Sequence, residues 1–216
     1  EQSMKKIISD IQQNYIKKFR REENTLLLEM EEFAAEKTIP ILDWHAADFL
    51  EQLIRIKKPR RVLEIGTAIA YSSIRIARNL EKRGILYTIE KSEDNIQIAI
   101  ENIGKSGFDE QIRLLEGDAF NIMPRFEKKF DFIFIDADKE DYLRLLDYAI
   151  ILLKKEGIIF VDNLLWHGYA AASKVPANYK NSTKYIREFN NYFMSLTNFQ
   201  TSILPIGDGI GLGIRR

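Results

Sequence analysis

The sequence predicts an α/β fold: a mostly parallel sheet covered by helices, with a helical preface before it and an antiparallel hairpin after it. Between Arg60 and Asn163, short apolar runs alternate with stretches of helical spacing, the pattern of right-handed strand-helix-strand crossovers. The first run, Val62-Leu-Glu-Ile, stops at Gly66, where the backbone can pass close to a ligand, and helical spacing begins at Tyr71. Later runs end in acids or an amide: Glu90 after Leu86-Tyr-Thr-Ile, Asp136 after Phe132-Ile-Phe-Ile, and Asp162 with Asn163 after Ile158-Ile-Phe-Val. Ligands of open parallel sheets bind outside the carboxyl ends of the strands, so these polar ends are expected to share one crevice.

Taken in order, residues 4 to 57 read as two or three helices. Ile7, Ile8, Ile11, Tyr15 and Phe19 recur at helical spacing, as do Leu26, Met30, Phe33 and Ala34. Lys37-Thr-Ile-Pro-Ile breaks the pattern, and Asp43 is placed to N-cap a helix through Ile56. This preface is expected to pack on the sheet or on a second subunit. Trp44 and His45 open its last helix, read as a packed aromatic and a surface histidine, or less simply as groups over a ligand. Residues 1 to 3 precede Met4 and are set apart as a remnant foreign to the domain.

Strands are expected near 61–65, 84–90, 111–116, 130–135 and 157–161, and helices near 71–81, 93–106, 119–125 and 139–153. A polar and aromatic loop then covers 164–180, Ser182 to Leu196 forms a helix, and Phe199–Leu204 pairs with Gly209–Ile214 in a hairpin turning at Gly207-Asp208. A dehydrogenase would continue instead into a second strand-helix-strand half. The expected organisation is a single domain over 4–216, comprising N-terminal helices (4–57), ligand-binding units (60–163) and a closing loop, helix and hairpin (164–216).

With 216 residues, 45% hydrophobic, 13 Phe and 9 Tyr, the chain can bury one full core. It has no cysteine, which excludes disulfides, thiolate metal sites and a cysteine nucleophile. Net charge is zero, so any nucleic-acid partner needs a local basic face; Lys17–Arg21 and Lys57–Arg61 are the densest basic clusters, each equally readable as a solvated helix end. No apolar run is long enough to span a bilayer and the charged start is unlike a secretory signal. A cytoplasmic protein without a membrane partner is expected.

The strand ends suggest chemistry. Asp136, Asp162 and Asn163 offer two carboxylates and an amide oxygen, a hard set that suits Mg²⁺, or Ca²⁺ and Mn²⁺, and not zinc. The plainer alternative is a helix cap at Asp136 and a turn at Asp162-Asn163. Lys139, on the first turn of a helix where a cation is unfavourable, reads as a base or as an ordinary surface lysine. Glu90 lies where Rossmann-like folds hold ribose hydroxyls.

Six ordered motifs then resemble those of the metal- and S-adenosylmethionine-dependent O-methyltransferases of the catechol type. They are Val62-Leu-Glu-Ile-Gly-Thr-Ala-Ile-Ala-Tyr-Ser, Tyr87-Thr-Ile-Glu, Glu116-Gly-Asp-Ala, Phe134-Ile-Asp-Ala-Asp-Lys-Glu-Asp-Tyr, Val161-Asp-Asn-Leu-Leu-Trp-His-Gly and Leu204-Pro-Ile-Gly-Asp-Gly. The resemblance runs from about residue 25 to the C-terminus. Within the family, Ile39-Pro-Ile, the tail from Phe199 and the overall length are most similar to bacterial tRNA 5-hydroxyuridine methyltransferases, which make 5-methoxyuridine at the wobble position.

That resemblance implies a Rossmann-like class I methyltransferase fold with a seven-stranded sheet, S-adenosylmethionine as cofactor, Mg²⁺ or another hard divalent cation, and a homodimer. By position it implies that Glu64, Gly66, Thr67 and Ala68 surround the methionine part of the cofactor and that Tyr71 and Ser72 help bind its carboxylate. Glu90 would hold the ribose, while Gly117, Asp118 and Ala119 border the adenine. Asp136 would adjoin the cofactor and ligate the metal with Asp162 and Asn163, with Lys139 as base. Trp166, His167, Lys174 and Arg187 are the expected substrate contacts, with Lys180 and Lys184 as further phosphate contacts. Ala70 departs from the family, which has glycine there.

The leading expectation is methylation of a hydroxylated wobble uridine in a tRNA anticodon loop. Methylating carbon 5 of uracil normally needs a thiolate adduct, which this chain cannot form, so transfer to oxygen fits better. A small-molecule catechol or phenol methyltransferase is the first alternative, and a non-catalytic nucleotide-binding module the second.

Overall fold

The computed structural model describes residues 9–216. The residues set apart at the start and the apolar pair Ile7-Ile8 lie outside the described residues. Seven strands form one sheet: β1 (Arg61–Ile65), β2 (Ile85–Glu90), β3 (Ile112–Glu116), β4 (Phe130–Ile135), β5 (Leu153–Val161), β6 (Phe199–Leu204) and β7 (Ile210–Arg215). Their order is β3-β2-β1-β4-β5-β7-β6, with β7 antiparallel to both β5 and β6 and every other pairing parallel. The order reverses between β1 and β4, the switch point outside whose carboxyl ends a crevice opens. Gly66 and Asp136 follow those two strands directly.

Alternation along each strand fills two cores, because successive side chains face opposite sides of a sheet. Val62, Phe132, Phe134 and Phe160 face α2 (Thr25–Lys37), α3 (Trp44–Lys57), α4 (Tyr71–Ala77) and α5 (Glu93–Ser106), meeting Leu27, Leu50, Ile54 and Ile74. Leu63, Ile133, Ile159 and Val161 face α7 (Tyr142–Leu152) and α8 (Lys180–Ser195), meeting Leu146, Phe189 and Phe193. No described helix is long and apolar enough to cross a membrane.

Asp43 caps α3 as expected, and two further helix starts carry side-chain caps. Asp43 Oδ1 accepts the His45 N–H at 2.9 Å, Asn24 caps α2 through the Leu27 N–H, and Ser92 caps α5. In α1 (Asp10–Lys17) the expected apolar stripe is exposed instead, with Ile11 at 82% and Tyr15 at 62%.

Several boundaries move. The helix expected at 71–81 stops at Ala77. That expected at 119–125 is only α6 (Ala119–Ile122) followed by a 3₁₀ turn, Met123–Arg125, since Pro124 cannot donate to a continuing helix. A 3₁₀ turn, Lys139–Asp141, precedes α7, and β5 starts at Leu153, four residues early. Between Leu153 and Ile158 the register with β4 shifts and Glu156 takes φ +59°, so a polar bulge is carried inside the strand.

The preface is fastened to the sheet layer by buried charge. Arg75 on α4 is 1% exposed and donates to Glu51 at 2.6 Å, to Tyr71 Oη at 2.8 Å and to Asp48, with Glu22 at 3.8 Å. Arg78 binds Glu22 and Glu51, and Arg20 binds Glu31. This fixes the α2–α3 connection, which carries Pro40 and Ile41 over the crevice.

Candidate active site

The turn after β1 is shaped by close approach. Gly66 has φ +98°, and a Cβ there would stand 1.8 Å from the Asp136 carbonyl oxygen, so only glycine lets the β1 and β4 ends lie together. Ala70 N-caps α4 in the left-handed region, φ +69°, with its methyl fully buried. The core therefore accepts the methyl, and the backbone retains a strain of about 1–2 kcal/mol that glycine would avoid.

Glu90, at the end of β2, is 8% exposed and accepts three backbone N–H groups: Ala68 at 2.8 Å, and Lys91 and Ser92 each at 2.9 Å. Its carboxylate is held rigidly at the cavity wall. The cavity itself measures about 910 Å³ and is open on one side. Gly66, Ala68, Glu90, Gly117, Asp118 and Ala119 line one arm of it, Asp136, Asp162, Asn163 and Lys139 its middle, and Trp166 and His167 its mouth. These expected residues converge.

Four others lie beneath the wall. Glu64, Thr67, Tyr71 and Ser72 are buried and do not line the cavity. The Tyr71 hydroxyl donates to Glu31 at 2.5 Å and accepts from Arg75, so it is occupied by the ionic fastening. Ser72 and Ser73 donate to Glu64, Thr88 donates to Glu64 at 2.7 Å, and Thr67 donates to Thr88 at 2.6 Å. This network braces the turn from below.

Burial drives the Glu64 carboxyl from its ordinary 4.5 to about 7, against the lowering effect of its hydroxyl donors. The folded protein thus keeps a proton that the unfolded chain has lost, so stability falls as pH rises from about 4.5 through 7. Glu64→Gln is expected to flatten that slope in thermal melts of the metal-free protein, while Asp162, raised in the same direction, leaves a remainder. A slope unchanged in the variant would contradict this.

At the cavity's centre, Lys139 Nζ donates to Asn163 Oδ1 at 2.5 Å, Tyr142 Oη at 2.7 Å, the Ala137 carbonyl at 3.0 Å and Asp136 Oδ1 at 3.3 Å. It also stands 5.5 Å from the centre of the Trp166 ring. Asn163, whose amide oxygen accepts from the lysine, takes φ +65°. Asp162 is 4% exposed; burial and the neighbouring Asp136 charge push its carboxyl well above the usual range. Two crowded carboxylates and an amide oxygen around one ammonium form a donor set that fits a hard divalent cation. No group of three or more His, Cys, Asp or Glu suited to a metal occurs among the described residues, so the amide is needed to complete the set.

The loop after β5 places substrate candidates unevenly. Trp166 Nε1 donates to Ser182 Oγ at 3.0 Å, fixing the indole at the mouth. Arg187 does not reach the cavity: its guanidinium donates to the carbonyls of Tyr169, Ala170 and Ala172 and ties the loop to α8. Lys174 does not line the cavity, and Lys180, Lys184 and Arg187 surround a separate depression of about 330 Å³. Trp44 and His45 stack on each other at 3.6 Å away from the cavity, with His45 against Asp43.

The sequence reading missed Ile41, Lys91, Asn178, Asn181 and Tyr185, all of which line the cavity. Lys91 pairs with Asp138, another lining residue, at 2.6 Å. Lys91 directly follows the Glu90 strand end, whereas the other four become wall residues only through long-range folding.

Comparison with known proteins gives the same frame. Residues 17–216 match the family described as O-methyltransferase. The caffeoyl-CoA O-methyltransferase of Populus kitakamiensis is 31% identical over 172 residues, covering 76% of this chain and 73% of its own. A provisionally named caffeoyl-CoA O-methyltransferase of Staphylococcus aureus superposes with a TM-score of 0.89 at 31% identity, covering 96% of this chain and all of that one. An O-methyltransferase of Bacillus cereus, solved with S-adenosylhomocysteine (SAH), gives 0.82 at 26% identity over 94% and 96% of the two chains. The fold, the converging strand ends and the match across the domain agree: this chain belongs to the O-methyltransferase family and is an S-adenosylmethionine-dependent enzyme.

Proposed function

We propose that the chain methylates an aromatic or enolic hydroxyl that has a second oxygen on the adjacent carbon, with a divalent cation at Asp136, Asp162 and Asn163 and with Lys139 as base. The observation that carries this reading is Lys139 Nζ within 2.5 Å of Asn163 Oδ1 and 3.3 Å of Asp136 Oδ1, beside the Trp166 ring. A hard divalent cation held there would supply positive charge that favours an ionised acceptor oxygen. Lys139, seated by the Tyr142 hydroxyl and the Ala137 carbonyl, takes the acceptor's proton at Nζ. S-adenosylmethionine supplies a methyl group on a sulfonium. Glu90 binds its ribose and Gly66 with Ala68 admits its methionine part, which aligns the donor with the acceptor held against Trp166.

The acceptor proposed is 5-hydroxyuridine at the tRNA wobble position. Its 5-hydroxyl and 4-carbonyl are adjacent oxygens, equivalent to the pair on a catechol. The mouth is open and carries Asn178 and Asn181, amides suited to a pyrimidine edge, beside the stacking rings of Trp166 and Tyr185. Lys180 and Lys184, exposed on α8 beyond the mouth, are suited to backbone phosphates. A small-molecule catechol acceptor is the second reading, favoured by the relatives named for caffeoyl-CoA. The non-catalytic alternative is overturned by membership in an enzyme family.

Transcripts carrying 5-hydroxyuridine, incubated with Mg²⁺ and methyl-labelled cofactor, are expected to take up label at that nucleotide and to lose it with chelator. Label appearing on free catechols and never on tRNA would select the second reading.

A further inference from the structure

The turn between β6 and β7 carries Asp208, to which the proposed reaction gives no role, and it is docked on the loop bearing Asn163, Trp166 and His167. That loop is sharply bent. Asn163, Trp166 and His167 have φ of +65°, +47° and +55°, a region that asparagine and histidine tolerate but that a bulky residue such as Trp166 keeps only when its surroundings impose it.

The hairpin turn supplies that constraint. The Asp208 carbonyl accepts the Leu165 N–H at 2.9 Å, the Gly209 carbonyl accepts the Leu164 N–H at 2.8 Å, and Asp208 Oδ1 accepts the His167 N–H at 2.6 Å. Docking leaves no slack, since a Cβ on Gly209 would come within 2.5 Å of Leu165 Cγ. The other carboxylate oxygen, Oδ2, is buried without a hydrogen-bond partner, 3.7 Å from His167 Nδ1. Burial raises the Asp208 carboxyl, and the His167 backbone and ring, Lys139 and the Asn163 side chain act against it. Asp208 does not line the cavity; its hydrogen bonds fall on Leu165 and His167, just beyond Asn163 in the loop.

We propose that Asp208 is a positioning residue: by clamping the bent loop it aims the Asn163 amide oxygen at the cation site and seats His167 at the mouth. This rests on the reading of Asp136, Asp162 and Asn163 as cation ligands. Residues that orient metal ligands without touching the ion typically set affinity within one to two orders of magnitude.

The test is Mn²⁺ titration of the full chain, with free ion read by electron paramagnetic resonance and SAH affinity measured in parallel by calorimetry without metal. Asp208→Ala is expected to weaken Mn²⁺ about 10–100-fold and leave SAH affinity unchanged. Asp208→Asn, which keeps an oxygen for the His167 N–H, should recover most of the loss. If the alanine variant fails to fold, Asp208→Ser, polar but too short to reach His167, is expected to show the same Mn²⁺ loss. Wild-type Mn²⁺ affinity in the folded alanine or serine variant overturns the proposal, as does a parallel loss of SAH affinity. A wild-type chain that binds no Mn²⁺ overturns the cation reading itself, and this proposal falls with it.

Discussion

Lys139→Ala is expected to lower kcat by about 10²–10⁴-fold, the usual worth of a positioned general base, while cofactor affinity stays at the wild-type value. The lysine lies among acceptors rather than against the cofactor arm: Asn163, Asp136, Tyr142 and the Ala137 carbonyl take its hydrogen bonds. Its removal therefore leaves the Gly66 turn and Glu90 intact. Lys139→Arg separates proton transfer from charge, because a guanidinium keeps the positive charge and cannot become a base at any working pH. Both variants are expected to be slow. An arginine variant near wild-type turnover would make the role electrostatic, and an alanine variant near wild-type would remove Lys139 from the chemistry. Single-turnover rates with calorimetric cofactor titrations provide the two readouts.

Arg75→Ala is expected to destabilise the fold by about 3 kcal/mol, at the low end for a broken buried ionic cluster, since Arg78 still pairs with Glu22 and Glu51 and Asp48 is partly exposed. Glu51, Asp48 and the Tyr71 hydroxyl lose a direct donor, and Glu22 with Glu51 is left to Arg78 alone. For a chain of this length that is a fall in melting temperature of about 10 °C. The same variant should bind cofactor more weakly, because the cluster holds the α2–α3 connection that puts Ile41 at the cavity wall. An unchanged melting temperature would mean that the charges gain nothing from their burial.

The sheet was legible in the sequence because period-two alternation and apolar runs are local properties. The 3.6-residue spacing of Met30 and Ala34 in α2, and the Asp43 cap, were legible for the same reason. The start of β5 was not, because Lys154-Lys155-Glu156 is a polar bulge that reads as a linker until β4 pairs beside it. Within the site, Gly66, Glu90, Asp136, Asp162, Asn163 and Lys139 were legible because parallel strands deliver their carboxyl ends to one edge. Tyr71 was placed at the cofactor's carboxylate by the resemblance alone; its hydroxyl is bound to Glu31, forty residues earlier in the chain. Arg187 looked like a substrate contact by charge, yet three loop carbonyls occupy it. Asn181 reached the cavity wall, and Asp208 the loop bearing Asn163, only when α8 and the hairpin folded back, and no local periodicity encodes that return.

The proposed chemistry requires Asp136, Asp162 and Asn163 to share one cation next to Lys139. Anomalous diffraction from crystals grown with Mn²⁺ and SAH tests this most directly. The expected result is a single peak within about 2.0–2.6 Å of one oxygen from each of those three side chains. A peak elsewhere, or Asp136 and Asp162 turned apart with no peak between them, would contradict it.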